Sequence, residues 1–365
     1  MSNPHFATPS GKPRARAFRI PFLGTPGTNN AITDVAGVAV GYTTLIAGDS
    51  IRTGVTAILP RPRAELATPM FAGMFSQNGN GELTGWHLIE EMGAFNFPIT
   101  ITNTHSCGVT RDATIRWMRD LMPDALDSTW GLPVAGETYD GFLNDINGFH
   151  IANEHVFAAL DGATSGPIEE GSVGGGTGMI TFGFKAGSGT ASRIVEWAGK
   201  RYTVGVFVQS NFGKRWNFSI RGRNVGRELT EPSMREGTPL KEKSSIIAIA
   251  ATDAPFLPHQ MKRLARRIPL GVAAAGGFGY NSSGDIFLAF STANPDGVRA
   301  GPGTLGRADF IPDADIDPFF DAVIQSTEEA ILNALVANDD MTGINGNFVP
   351  ALPKMWLEKN YARTA

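Results

Sequence analysis

A short apolar segment behind a charged one places the strongest constraint on how this chain can fold. Ile246–Ala251 reads IIAIAA, and Ser245 stands directly before it. Such a run is typical of a strand that is buried on both faces. The preceding stretch, Arg221–Ser244, is dense in Arg, Lys and Glu and is predicted to be a surface loop or linker. The apolar run therefore predicts a sheet that other layers cover on both sides.

Strand and helix patterns recur along the rest of the chain. The predicted strands are Val55–Leu59, Phe97–Asn103, Val204–Gln209, Asp285–Ser291, and Ala31–Tyr42 with a bulge or turn at Gly37. The predicted helices are Leu83–Met92, Thr110–Met122, Ile151–Leu160, Leu257–Ile268 and Pro318–Ala337. Met1–Ala17 is predicted to be a loose arm. Because several strands are apolar on both faces, we expect an α/β architecture with sheet between helical layers.

Composition and motifs exclude several classes of protein. The net charge of −4 argues against a nucleic-acid binder, and the single cysteine, Cys107, excludes an internal disulfide and a paired-cysteine zinc site. The HExxH, P-loop, GxGxxG and GxSxG patterns are all absent, so neither a metal nor another cofactor is expected. No apolar run approaches the roughly 18 residues of a membrane span, and no signal peptide is visible, so we expect a cytoplasmic protein. A length of 365 residues suits one large domain or two ordinary ones.

Ser245 is the candidate nucleophile. A serine hydroxyl needs an adjacent base, and no histidine lies in an obvious partner motif. Cleavage of the chain before Ser245 would free an α-amine with a pKa of about 7.7–8, close to that of a useful general base. Nucleophile and base would then belong to one residue. The alternative is that Ser245 is an ordinary loop serine.

Several segments together resemble the DmpA family of L-aminopeptidase/D-esterase-amidases and β-peptidyl aminopeptidases. They span about residues 30–294 and read NAITDVAGVAVGY, ITNTHSCGVTRDA, GETYDGFLNDINGFH, GGGTGMITFGFKAGSGTASR, VQSNFG, SIIAIAATDAPFLPHQMKRLARR and NSSGDIFLAFSTAN. The resemblance implies a four-layer αββα sandwich of the Ntn-hydrolase-like, DmpA/ArgJ-like type. It implies one domain, 1–365, that cleaves itself between Ser244 and Ser245 into chains 1–244 and 245–365. It also implies a homotetramer of the cleaved units.

The same resemblance assigns roles to individual residues. Ser245 is the nucleophile, Asn211 supplies the oxyanion-stabilising amide, and Tyr139 assists catalysis. Ser283 and Asp285 hold the nucleophile and its amine, and their i, i+2 spacing in a strand puts both on one face. Glu137 would receive the ammonium group of the substrate.

Two positions depart from the family pattern. Ser244 stands where the family usually has glycine, whose backbone tolerates the strain of an acyl shift, so self-cleavage is expected to be slower. Ser244 is also a rival nucleophile, although Ser245 directly precedes the apolar strand. Asp285 stands where family members often carry Glu, so its carboxylate reaches less far.

The sequence therefore predicts a self-processing serine aminopeptidase that hydrolyses small peptides or amino-acid amides and esters through an acyl-enzyme. It does not choose among L-, D- and β-amino substrates. The alternatives are an acyltransferase similar to the ornithine acetyltransferases, which use Thr as nucleophile, and a non-catalytic binding protein with the same fold.

Overall fold

The computed structural model describes residues 3–127, 130–235, 244–297 and 303–362. The strands are β1 Ala39–Ala47, β2 Ile51–Leu59, β3 Met70–Gly79, β4 Ala94–Phe95, β5 Ile99–Asn103, β6 Val134–Thr138, β7 Ile180–Thr181, β8 Phe184–Lys185, β9 Ser188–Trp197, β10 Lys200–Asn211, β11 Ser219–Ile220, β12 Arg223–Asn224, β13 Ser244–Thr252, β14 Ser283–Ser291, β15 Met341–Thr342 and β16 Phe348–Val349. The helices are α1 Trp86–Met92, α2 Cys107–Leu121, α3 Pro123–Asp127, α4 Asn153–Asp161, α5 Pro258–Ala265, α6 Ile268–Ala274, α7 Asp317–Val336 and α8 Lys354–Tyr361.

Two sheets lie face to face between two layers of helix. One sheet has the order β1-β2-β5-β6, and the other has the order β4-β3-β14-β13-β10-β9. Helices α2 and α4 pack on the four-stranded sheet, whereas α5 and α7 pack on the six-stranded one and α6 packs against α7. The predicted αββα sandwich is thereby confirmed.

Three hydrophobic cores fill the spaces between the four layers, and β13 contributes to two of them. Ile246, Ala248 and Ala250 belong to the core beneath α5, α6 and α7. The alternate residues of the strand, Ile247, Ile249 and Ala251, belong to the core between the sheets. Side chains alternate along a strand, so a strand with helices on one face and a sheet on the other needs apolar residues at every position. This explains the uninterrupted apolar run.

Most predicted elements are confirmed, but three predictions need correction. Ala31–Tyr42 is not one strand: a 3₁₀ turn occupies Ile32–Asp34, and β1 begins only at Ala39. A turn does lie at Gly37, which has a φ of +87°, a value that glycine tolerates. The helix predicted at Leu257–Ile268 ends at Ala265, where α5 gives way to α6.

The third correction concerns the N-terminal segment, which is not a loose arm over its described part. The Arg14 side chain is buried and its Nε donates to Glu170 over 2.7 Å, while the Arg16 Nε donates to Glu329 over 2.6 Å. Buried carboxylates far along the chain hold this segment, so its own composition could not reveal that it is ordered.

The charged stretch before β13 is only partly described. Near its beginning, Arg223 and Asn224 form β12, which pairs with β11, and Arg223 forms an ion pair with Glu228 at the surface, as predicted for a surface segment. The remainder, residues 236–243, lies outside the described residues. No helix in the described ranges is both long and apolar enough to cross a membrane.

Candidate active site

Ser245 lies near the beginning of a central strand of the six-stranded sheet. In the antiparallel ladder with β10 it is paired with Asn211, and in the parallel ladder with β14 it is paired with Gly284. Its side chain is almost fully buried, and strand alternation turns it toward the space between the sheets, like that of Ile247. The candidate nucleophile is therefore held by two neighbouring strands in a rigid part of the fold.

A chain of hydrogen bonds connects Ser245 with Tyr139 and Asn211. The backbone N–H of Tyr139, which follows β6 in the other sheet, donates to Ser245 Oγ over 3.2 Å. Asn211 Nδ2 donates to the Tyr139 carbonyl over 2.8 Å, and the Ile180 N–H donates to Asn211 Oδ1 over 2.9 Å. The structure thus brings these three predicted site residues together, with both a backbone N–H and an amide side chain close to the hydroxyl. Such donors can stabilise a developing oxyanion.

The Ser283 and Asp285 side chains form a pair of their own. Ser283 Oγ donates to Asp285 Oδ1 over 2.5 Å, and both residues are buried. Burial raises the pKa of Asp285 to about 6, although the Ser283 hydrogen bond opposes this effect. Because Ser283 is the partner of Ser244 in the ladder, alternation puts this pair on the face opposite the Ser245 side chain. The pair therefore flanks the Ser244–Ser245 bond, where a free amine of Ser245 would lie.

Glu137 belongs to β6 in the four-stranded sheet, and strand alternation turns its side chain to the face of β6 away from the other sheet. Its carboxylate accepts hydrogen bonds from the Thr104 hydroxyl and, over 2.9 Å, from the Glu82 backbone N–H. Burial raises the pKa of Glu137 above its ordinary value despite these donors. A Cβ placed on Gly81 would lie 3.1 Å from Glu137 Oε1 and 3.4 Å from the Cα of Gly284, the ladder partner of Ser245. A carboxylate here can meet an ammonium group that enters beside the nucleophile.

Two buried ionisable groups near the site escaped the sequence analysis. Asp140, next to Tyr139, is fully buried, and burial raises the pKa of its carboxyl to about 7. Lys185 is also fully buried, and burial lowers the pKa of its ammonium group well below the usual range. Both lie in segments that carry the family resemblance, GETYDGFLNDINGFH and GGGTGMITFGFKAGSGTASR, but the resemblance assigned them no role, and a sequence alone does not show how deeply a side chain is buried.

The position of Lys185 explains how Asn211 is held. Lys185 Nζ donates to the Met179 carbonyl over 2.8 Å and to the Ala186 carbonyl over 2.6 Å. The peptide group that joins Met179 to Ile180 therefore accepts from the lysine through its carbonyl and donates to Asn211 through its N–H. One peptide unit links the buried lysine to the amide side chain.

Metal-ligating groups and the cysteine thiol were the other candidates for chemistry in the described part of the chain. It contains no group of three His, Cys, Asp or Glu side chains that could hold a metal ion. Burial raises the pKa of the Cys107 thiol to about 12, so this cysteine stays protonated and is a poor nucleophile. Ser245 remains the best-placed nucleophile.

Known proteins resemble this chain over most of its length. The Peptidase family S58 model matches residues 30–349. A beta-peptidyl aminopeptidase, BapA, from Sphingosinicella microcystinivorans is 50% identical, over 97% of this chain and 93% of the relative. The solved L-aminopeptidase D-Ala-esterase/amidase of Ochrobactrum anthropi, described as a serine aminopeptidase with a variant of the Ntn hydrolase fold, superposes with a TM-score of 0.90 at 44% identity, covering 97% of this chain and all of that one.

A beta-aminopeptidase from a Burkholderia species gives a TM-score of 0.86 at 45% identity, over 95% of this chain and 97% of its own. The family model, the sequence relatives and the fold all indicate the same group of proteins. This chain therefore belongs to peptidase family S58 and is a hydrolase of the aminopeptidase type with an Ntn-hydrolase fold.

Proposed function

We propose that the chain is a self-processing aminopeptidase in which Ser245 supplies both the nucleophile and the general base. The observation that carries the proposal is the position of Ser245 Oγ, buried beside the Tyr139 N–H and in the same hydrogen-bonded chain as Asn211. A hydroxyl in such a place is fixed and surrounded by donors, but no histidine is hydrogen-bonded to it among the described residues. The α-amine that cleavage frees on Ser245 supplies the missing base.

Self-cleavage proceeds through an N-to-O acyl shift. Ser245 Oγ attacks the Ser244 carbonyl carbon, the C–N bond breaks, and the Ser245 nitrogen takes up the hydroxyl proton. Water then hydrolyses the resulting ester, leaving a carboxylate on Ser244, the hydroxyl on Ser245 and a free α-amine. The products are chains 1–244 and 245–365, which remain packed together because β13 and β14 lie at the centre of a sheet completed by β4, β3, β10 and β9.

The α-amine then acts as the base for substrate hydrolysis. It accepts the Ser245 hydroxyl proton while Oγ attacks the carbonyl carbon of the first residue of the substrate, and Asn211 and the Tyr139 N–H stabilise the oxyanion. The resulting ammonium donates its proton to the leaving amine, and water hydrolyses the acyl-enzyme. Glu137 binds the substrate ammonium, and the Ser283–Asp285 pair holds the Ser245 amine.

The substrates are proposed to be short peptides and amino-acid amides or esters with a free amine. One relative is named a beta-peptidyl aminopeptidase and another a beta-aminopeptidase, which favours β-amino residues at the first position. The homotetramer stays a prediction, which light scattering of the purified protein would test.

Intact mass and N-terminal sequencing test self-processing. Ser245–Ala365 is one third of the 38.9-kDa chain, so a fragment of about 13 kDa with the N-terminal sequence Ser-Ile-Ile is expected. Ser245→Ala should remain whole and inactive, whereas the matched control Ser244→Ala should still be cut. An active enzyme that never yields the Ser-Ile-Ile terminus would refute the proposal, and cleavage of Ser245→Ala would transfer the nucleophile to Ser244.

A further inference from the structure

A small cavity opens beside the bond that is proposed to be cut. Its volume is about 250 Å³, and its walls are formed by Gly213, Lys214, Ser244, Tyr280, Asn281 and Ser282. This is below the roughly 300–1,000 Å³ of pockets that hold drug-sized ligands, so it suits about one amino-acid residue. It lies beyond the end of β10 that carries Asn211, between the loops that follow Gly213 and precede Ser283.

Lys214 is the charged side chain of this cavity. It is partly buried, and its ammonium lies 4.4 Å from the ring centroid of Tyr280 and 5.3 Å from that of Trp216. Over the described residues, no carboxylate lies within 4.0 Å of it. The two rings hold the cation by cation–π attraction and leave its hydrogen-bonding capacity for another acceptor.

The aromatic wall beside the lysine is itself fixed. The Asn217 Nδ2 donates to the Tyr280 hydroxyl over 2.7 Å, and the Asn78 Nδ2 donates to the Tyr280 carbonyl over 3.0 Å. The Ser283 N–H also donates to that carbonyl, over 2.8 Å, which ties the wall to the start of β14. Hydrogen bonds therefore anchor Tyr280, and with it one of the two rings beside Lys214, next to the candidate catalytic residues.

The proposed mechanism determines which part of the substrate reaches this cavity, and the inference rests on that mechanism. The leaving amine must take its proton from the Ser245 ammonium, so it must lie on the side of the Ser245 nitrogen. In the intact chain that nitrogen is bonded to Ser244, a residue of the cavity wall. Glu137, which is proposed to bind the substrate ammonium, belongs instead to the four-stranded sheet, which the Ser245 side chain faces. The acyl residue and the leaving residue thus occupy opposite sides of Ser245.

We propose that this cavity binds the leaving residue of the substrate and that Lys214 forms an ion pair with its free α-carboxylate. The preferred substrates are then dipeptides, in which the second residue carries the chain's terminal carboxylate one residue from the cut bond. A longer peptide or a C-terminal amide presents a neutral group to the ammonium at that distance. The enzyme therefore discriminates by the charge of the leaving residue as well as by the first residue.

A matched pair of substrates tests this assignment. The ratio of kcat/KM for a β-alanyl dipeptide to that for its C-terminal amide is measured in the wild type and in Lys214→Met. We expect a ratio of about 10 or more in the wild type, because a hydrogen bond to a charged group is worth about one decade of affinity. We expect the ratio to fall about tenfold in Lys214→Met and to be retained largely in Lys214→Arg.

Lys200→Met is the control, since it removes the same charge from the far end of β10. It should leave the ratio unchanged. An unchanged ratio in an active Lys214→Met enzyme overturns the inference. If Lys214→Met does not fold, the wild-type enzyme tests the inference: a kcat/KM ratio near 1 between the dipeptide and its amide also overturns it. A wild type that hydrolyses neither substrate overturns the proposed function itself, which separates that failure from a failure of the subsite alone.

Discussion

The replacement of Asp140 by Asn tests the electrostatics of the site most directly. Asp140 is fully buried beside Tyr139, and its pKa is raised to about 7, mainly by burial and to a smaller degree by the charge of Glu137. Against about 3.9 in an unfolded chain, this is a shift of about 3 units, or about 4 kcal/mol. Because the folded-state pKa is the higher one, the folded protein keeps this proton after the unfolded chain has released it. The parent therefore has its full stability below about pH 4 and loses about 4 kcal/mol of it as the pH rises from 4 through 7.

Asn is isosteric with the protonated acid, can still accept from Asn144, and does not titrate. From pH 5 to pH 8, the free energy of unfolding of Asp140→Asn should therefore rise by roughly 2–3 kcal/mol relative to the parent. The assay is urea unfolding at both pH values, in a Ser245→Ala background, which is expected to keep the chain whole.

Asp120→Asn serves as the control, because it removes the same charge from an exposed position on α2. The difference in the free energy of unfolding between Asp120→Asn and the parent should be nearly the same at both pH values. If the difference for Asp140→Asn were equally flat, Asp140 would be ionised throughout, and the argument from burial would be wrong.

Two further substitutions test how the site is built. Glu137→Gln removes the charge that is proposed to bind the substrate ammonium, so KM should rise about tenfold or more while kcat changes less; an unchanged KM would assign the ammonium to another group. Lys185→Met removes the donor of the Met179 carbonyl and frees the peptide that holds Asn211. It should lower kcat more than it raises KM, and urea unfolding should show a loss of about 1–3 kcal/mol; full activity would show that Asn211 needs no such support.

Local patterns predicted most of the frame of the molecule. The IIAIAA run identified β13 as a strand covered on both faces, and helical spacing identified α2, α4 and α7 to within a few residues. Motif resemblance named the residues that the structure brings together around Ser245. The errors arose where distant partners decide the outcome: Arg14 is ordered by Glu170, which lies 156 positions away.

The sequence by itself determined that an apolar strand with a serine at its head must be buried between layers, because alternation along a strand is a property of adjacent residues. Only the tertiary structure decided which groups surround that serine. The Tyr139 N–H, the lysine-supported Asn211, the buried Asp140 and the cavity beside Lys214 come from separate segments of the chain. The distances between these groups and the loss of water around them are set when the two sheets pack against each other. That packing joins residues far apart in the sequence, so no local pattern predicts it.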